Sequence, residues 1–475
     1  MAKIKTLKNY LLDTSIILDD PENIEHIYQK GQNKEFITDV VLSELNKKKD
    51  LHNETGFFAR EFFRMINGEN GKEVKKESFF KEGSYDENDH LREMYLKCSN
   101  LVITIYVIYR QNYKTKGLDH GLNDAKIVEI ARDYGLKLLT NDIALKIQAL
   151  AQNIEADSLH RDRVENPDEI DFFAKVSVPK DYDFNKLSKR KGFGELSDWS
   201  AIEVDEEDKQ EGDKYLTGKK YFGLKIDGRF EEIDLDDLIN TTKPYIRPIN
   251  LEQKFYYAML IHPQNRITVC TGSTGSGKTL IALQAGVWLV KQGVVDGIVY
   301  IRNTVTSSDK ESELGFRKGD EATKLGYFMY PLYSAVNFTI EKMRKESINK
   351  RIEYAGDINT VQKQSATELF MNRHNIEVYD IAHARGITIA KKFVIFDEAQ
   401  NASNATIKLI GTRIGEDSRI VFLGDWGQID HPYLSKFRNG LVTMLKKAKE
   451  NSFVAGIQLR HTIRSEVAGW FQKNL

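Results

Sequence analysis

Residues 267–279 read ITVCTGSTGSGKT, a short apolar run that empties into a glycine-rich loop ending in Lys278 and Thr279. Such a loop dictates what surrounds it: a strand must deliver it and a helix, here the amphipathic Leu280–Val290, must leave it. Gly272, Gly275 and Gly277 let the backbone curl until its N–H groups face an anion, and the helix adds its positive end. Ser273, Thr274 and Ser276 fill the cradle between them. Lys278 reaches β- and γ-phosphates, and the Thr279 hydroxyl suits a magnesium ion. The expected ligand is therefore ATP with Mg2+.

Working outward, FVIF at 393–396 runs straight into Asp397 and Glu398. Asp397 would hold the metal through its water shell, and Glu398 would polarise the attacking water. A third apolar run, RIVFL at 419–423, ends in GDWGQ, which sets Gln428 where it can sense a γ-phosphate; read alone, Gln428 is equally a residue of a solvated turn. Upstream, INLEQ at 249–253 resembles the helicase Q motif, a resemblance that implies the Gln253 amide pairs with adenine. Candidate strands at 266–270, 297–302, 376–380, 393–397, 419–424 and 453–459 alternate with helical stretches, the pattern of a parallel sheet with right-handed crossovers. An α/β, RecA-like P-loop core is expected over residues 246–475.

DEAQ at 397–400, GDWGQ and INLEQ resemble superfamily 1 helicases, and more closely the PhoH-like ATPases, over most of residues 248–475. Leu314-Gly315-Phe316 with Gly319-Asp320, then Arg385-Gly386, Gln428-Ile429-Asp430, Pro432-Tyr433-Leu434, Asn439-Gly440-Leu441 and Arg464-Ser465-Glu466 are similar to further elements of that family. One departure stands at IRNTV, 301–305: Arg302 is kept, but the proline of the family's Arg-Pro pair is missing. With one RecA-like core expected, the other half of a helicase-type ATP site must come from a second subunit. Arg464, or Arg460, would then act in trans as an arginine finger, and the resemblance implies a homo-oligomeric ring, a hexamer favoured. Arg464 also reads as a helix-surface cation.

In the amino-terminal third, Asp13, Glu44, Asp124 and Asp142 each follow a strand or open a helix. Parallel strands bring such positions to one edge. Four clustered acids repel one another unless a cation lies between them, and hard oxygen ligands suit Mg2+ or Mn2+, metals that support phosphodiester cleavage. Singly, each acid reads as a helix cap or a solvated charge. In order, LLDTS, VLSEL, NDAKI and TND resemble PIN domains, the metal-dependent ribonucleases. That resemblance implies that the four acids are metal ligands and catalytic, with Ser15 steadying Asp13. Asp39 and Asp133 read as surface charges, and segment 68–95, polar throughout, as an insertion or mobile loop.

The 475 residues suffice for several domains; the boundaries expected are a PIN-like parallel-sheet domain at 1–155, a small β-rich connector at 156–245 and the ATPase at 246–475. Within the connector, Asp227-Gly228 predicts a tight hairpin turn. With 69 basic and 70 acidic residues the net charge is −1, so attraction to nucleic acid must be local. Two cysteines, Cys98 and Cys270, make neither a disulfide framework nor a metal motif, and no apolar run is long enough to span a bilayer; a cytoplasmic location is expected. The combined expectation is ATP-dependent RNA unwinding or translocation coupled to metal-dependent endoribonuclease cleavage. RNA, single-stranded or as a tailed duplex, is the expected partner, with DNA possible. Two other readings stay open: a PIN domain that only binds RNA, and an ATP-switched regulatory scaffold.

Overall fold

The computed structural model describes residues 8–51, 54–66, 71–98, 101–115, 122–159, 163–190, 192–210, 213–303, 330–352, 363–379, 381, 384, 386–431 and 433–462. Arg464, Arg385 and the 314–320 motif lie outside them. The chain divides into two compact units, residues 1–161 with 432–434, and residues 162–431 with 435–475.

The first unit is built on a six-stranded sheet, β1 (Lys8–Leu12), β2 (Asn33–Thr38), β3 (His90–Cys98), β4 (Leu101–Tyr109), β5 (Lys137–Leu139) and β6 (Ala156–Asp157), in the order β3-β4-β2-β1-β5-β6. All neighbours pair in parallel except the β3–β4 hairpin. Six helices accompany it: α1 (Thr14–Asp19), α2 (Asn23–Tyr28), α3 (Asp39–Lys48), α4 (Glu54–Met65), α5 (Leu122–Tyr134) and α6 (Ile143–Ala151). Leu11, Leu12, Phe36, Phe62 and Ile105 are fully buried between the layers. Helix starts are set by side chains: Thr38 accepts the Val41 N–H at 3.2 Å, and Asp142 accepts those of Ala144 and Leu145, each satisfying donors a helix leaves orphaned.

Two expectations fail here. The carboxyl end of the 68–95 segment is not loop: β3 begins at His90, and Glu73 bridges to Arg92. Leu91, Leu96 and Cys98 face the core, but Arg92, Glu93 and Lys97 between them give this edge strand the composition of a loop. Asp133 is not a free surface charge either, since it pairs with the buried Arg110 at 2.8 Å; Asp39 accepts the Tyr113 hydroxyl at 2.6 Å.

The second unit holds two sheets. β7 (Phe173–Pro179), β8 (Ala201–Gln210), β9 (Asp213–Ile226) and β10 (Arg229–Glu232) lie in the order β10-β9-β8-β7. The β9–β10 turn is Asp227-Gly228, with φ of 48° and 73°, the left-handed pair a two-residue hairpin demands. The larger sheet is wholly parallel: β11 (Ile267–Gly272), β12 (Gly297–Arg302), β13 (Ile376–Tyr379), β14 (Lys392–Asp397), β15 (Arg419–Gly424) and β16 (Val454–Leu459), ordered β13-β12-β14-β15-β11-β16. Helices α7 (Leu235–Thr242), α8 (Leu251–Ile261) and α9 (Lys278–Lys291) lead into and out of β11. The small sheet shares a core with this layer: Trp199, Ala201 and Leu224 cluster with Phe255, Tyr256 and Ile457. The Trp199 indole donates to the Ser452 carbonyl at 2.8 Å.

Candidate functional site

The glycine-rich loop follows β11 and ends where α9 begins. Gly275 and Gly277 have φ of 86° and 90°, values that favour glycine and turn successive N–H groups to one side. A Cβ on Gly277 would also come within 2.6 Å of Gln253 Nε2. Lys278 folds back to donate to the carbonyls of Gly272 and Ser273, which holds its ammonium over the loop. The Thr279 hydroxyl donates to Asp397 Oδ2 at 3.2 Å, and the buried Tyr300 hydroxyl donates to the same oxygen at 2.7 Å. Hydroxyl and carboxylate thus sit side by side, hard oxygens of the kind that bind a divalent cation.

Glu398 stands next to this pair in a left-handed conformation, φ 60°. Its carboxylate accepts from Arg302 at 3.3 Å and from the Gln400 amide at 2.6 Å. Gln400 also donates to the Gln428 carbonyl and accepts the Asp425 N–H. Gln428 accepts the Thr274 hydroxyl at 3.0 Å, so the third motif touches the loop itself. Gln253 is 3% exposed; its amide donates to the Ser276 carbonyl at 2.8 Å and accepts the Ile249 N–H at 3.0 Å. Both ends of that amide are thereby engaged by protein.

In the first unit, Asp13 follows β1 and is 5% exposed. Ser15 and Thr140 donate to its Oδ2, Thr140 at 2.8 Å. Burial raises its pKa, those hydrogen bonds oppose the rise, and Glu44 adds to it. Glu44 accepts from the Thr14 hydroxyl and from Asn123 Nδ2 at 2.8 Å, while Asp142 caps α6. Asp124, in the first turn of α5, is pushed up to about 6, by burial first and then by Asp13, Asp142 and Glu44. The four carboxylates therefore lie within one another's field. Among the described residues no three His, Cys, Asp or Glu side chains form a preset metal-ligand group. The donor chemistry fits a hard divalent cation, whereas the side chains are aligned by protein donors.

A family described as "PhoH-like protein" matches residues 245–475, and one described as "PIN domain" matches residues 10–160. The chain joins a PIN domain to a PhoH-like ATPase domain. Protein PhoH2 of Bacillus subtilis is 25% identical over 484 residues, covering 97% of this chain and 98% of its own. Protein PhoH2 of Mycolicibacterium smegmatis is 23% identical over 471 residues, covering 98% and 96%. A PhoH-like protein of Bacillus subtilis is 29% identical over 234 residues, 49% of this chain and 64% of its own.

Within the PhoH-like domain, sequence reading assigned no role to Tyr300 or Gln400. The first hides in the apolar run GIVYIR, and the second is a single amide beside two conspicuous acids. The compact unit that contains the PIN domain includes a third such residue, Tyr433, whose phenol pKa is pushed up by burial and then by Asp13, Asp142, Glu44 and Asp124. Its distance along the chain from all four acids left no local signal. No helix among the described residues is long and apolar enough to cross a membrane.

Proposed function

We propose that the PhoH-like domain hydrolyses ATP to translocate or unwind RNA, and that the PIN domain cuts the strand as a metal-dependent endoribonuclease. The observation that carries the nuclease reading is a set of carboxylates aimed by protein donors, Thr140 2.8 Å from Asp13 and Asn123 2.8 Å from Glu44, where burial and these neighbours push Asp124 up to about 6. Fixed charge of this kind is costly unless a cation or a reaction uses it.

In the ATPase, Lys278 exchanges its carbonyl partners for phosphate oxygens, and the Gly275 and Gly277 turn presents N–H donors to them. Thr279 and Asp397 would hold Mg2+, which supplies neutralisation of charge on the β- and γ-phosphates. Glu398 takes a proton from the attacking water, and Gln428 relays the state of the γ-phosphate through Thr274. An arginine from a neighbouring subunit, Arg464, completes the site in a homo-oligomeric ring, for which six subunits is the number we favour; Arg460, the other candidate, is engaged by Asp171 of its own chain at 3.1 Å.

In the nuclease, Asp13, Glu44, Asp124 and Asp142 would hold Mg2+ or Mn2+, which supplies an activated water and a stabilised leaving oxygen. Ser15 and Thr140 aim Asp13 and oppose the rise that burial puts on its pKa; Asn123 and Thr14 fix Glu44. RNA is favoured over DNA on the PIN likeness.

The deciding experiment follows labelled tailed RNA and DNA with ATP and Mn2+, using wild type, Lys278→Ala, and the Asp124→Asn, Asp142→Asn double variant. Cleavage lost in the double variant, and degradation of the duplex slowed in Lys278→Ala, are expected. A double variant that cuts normally would leave a PIN domain that only binds RNA. ATP turnover indifferent to any nucleic acid would leave a regulatory scaffold.

A further inference from the structure

We propose that the base and ribose of the nucleotide enter a cavity roofed by the small four-stranded sheet, and that Phe173 and Lys175 of that sheet contact the nucleoside. The inference rests on the ATPase reading and assigns the small sheet a part in it. The cavity has a volume of about 350 Å³, within the range of small-molecule sites.

Its walls are tied to the two ends of the phosphate loop. On one side, Leu459 is the register partner of Gly272, so Arg460 and His461 leave the sheet beside the first residue of the loop. On the other, Asn250 and Glu252 flank Gln253, whose amide grips Ser276 at the loop's far end. Glu252 closes the frame by accepting the N–H groups of Arg460 and His461 at 2.8 and 3.1 Å. The cavity's walls are thus continuous in the chain and in hydrogen bonding with both ends of the loop, which is what places a nucleoside there once its phosphates are in the loop.

The lining suits a planar base. Phe173 supplies an aromatic wall, held edge-to-face by the fully buried Phe255, their centroids 6.0 Å apart. The Arg460 guanidinium, paired with Asp171 at 3.1 Å, and the His461 ring, paired with Glu252 at 3.0 Å, offer flat cationic or aromatic faces, surfaces on which bases stack. Lys175, 63% exposed and 3.5 Å from the buried Glu203 on the adjacent strand, provides a donor with three N–H bonds to share. Gln253 is a poor reader of the base by comparison, because both ends of its amide already bind protein. Its work is to hold the loop, and the reading passes to its neighbours.

The test uses the full chain with Phe173→Ala and, because that ring also touches Phe255, the surface variant Lys175→Glu, whose parent side chain is 63% exposed. ATP turnover is measured against ATP concentration, with inorganic tripolyphosphate as inhibitor. The expected result is a KM for ATP raised about 10-fold, the size of a lost base contact, with kcat little changed and tripolyphosphate inhibition unaltered. An unchanged KM in both folded variants overturns the proposal, as does an equal loss of tripolyphosphate binding, which would put the defect in the loop. Wild-type turnover and its loss in Lys278→Ala test the ATPase reading separately, so the two failures are distinguishable.

Discussion

Tyr300 donates its hydroxyl to Asp397 Oδ2 at 2.7 Å from the adjacent strand, and the oxygen it binds is the one Thr279 also reaches. The phenol is fully buried, and burial together with Asp397 keeps it protonated. It can therefore only donate, which fixes the carboxylate's orientation. Tyr300→Phe keeps the ring and deletes that donor. Positioning groups of this kind are worth about 10- to 100-fold in metal affinity or activity. ATP turnover should fall toward that range and need more Mg2+ for half-maximal rate, read from a magnesium titration. A variant with unchanged magnesium dependence would show that Tyr300 is only core.

Gln400 makes a comparable case for Glu398. Its amide nitrogen binds Glu398 at 2.6 Å and the Gln428 carbonyl at 2.9 Å, and its oxygen accepts the Asp425 N–H at 3.1 Å. One buried amide thus joins Glu398, the acid proposed to activate water, to the Asp425–Gln428 loop proposed to sense phosphate. Gln400→Leu should reduce kcat by about 100-fold, in line with losing a group that orients catalytic charge, with a smaller change in KM. It should also cost about 1–3 kcal/mol for the orphaned groups. Steady-state kinetics with a urea melt separates the two effects; a kcat near wild type would remove Gln400 from the relay.

The parallel core was legible because buried strands announce themselves as continuous apolar runs, each ending in a polar motif, and β11, β12, β14 and β15 all do so. The Asp227-Gly228 hairpin was legible because its backbone demands residues that tolerate positive φ. β3 was not, since an edge strand with Arg92, Glu93 and Lys97 among its apolar residues has the composition of a loop. The four acids are marked in the sequence one by one, but their mutual field depends on β1 and β5 being neighbours, which no single motif states. Tyr300, Gln400 and Arg110 act through contacts made far along the chain, so no local pattern announced them.

Asp124 should make the metal-free protein less stable as pH rises. Its folded pKa of about 6 lies above the ordinary aspartate value of 3.8. The folded state therefore holds its proton more tightly, and that stability is complete below pH 4 and lost as pH passes 6. Two pK units would be worth about 3 kcal/mol; partial solvent access reduces this to about 1–2 kcal/mol. Asp124→Asn should melt higher than wild type at pH 7.5 without metal and equally at pH 4, by calorimetry. Added Mn2+ should stabilise wild type more than the variant. A variant that melts lower at pH 7.5 would mean that Asp124 carries no such burden.

Arg110 bears the opposite kind of charge problem. Its side chain is 1% exposed and meets Asp89 at 2.7 Å, Asp133 at 2.8 Å and Glu129 at 3.0 Å. Burial would raise Glu129, but N–H donors from Lys114 and Thr115, the Thr115 hydroxyl and Arg110 bring it down to about 2. A carboxylate lowered in this way stabilises the fold above its unfolded pKa, and loses that effect as pH falls toward 2. Arg110→Met would strand three acids around one vacancy of charge, at a cost of about 3–5 kcal/mol. Arg110→Lys should recover only part of it, because a single ammonium cannot reproduce the forked geometry. The deficit should be largest near pH 7 and shrink toward pH 3 as the acids take up protons. Since Glu129 and Asp133 share α5 with Asp124, hydrogen exchange in that helix should rise in Arg110→Met; exchange and melting temperature both at wild-type levels would make the network energetically idle.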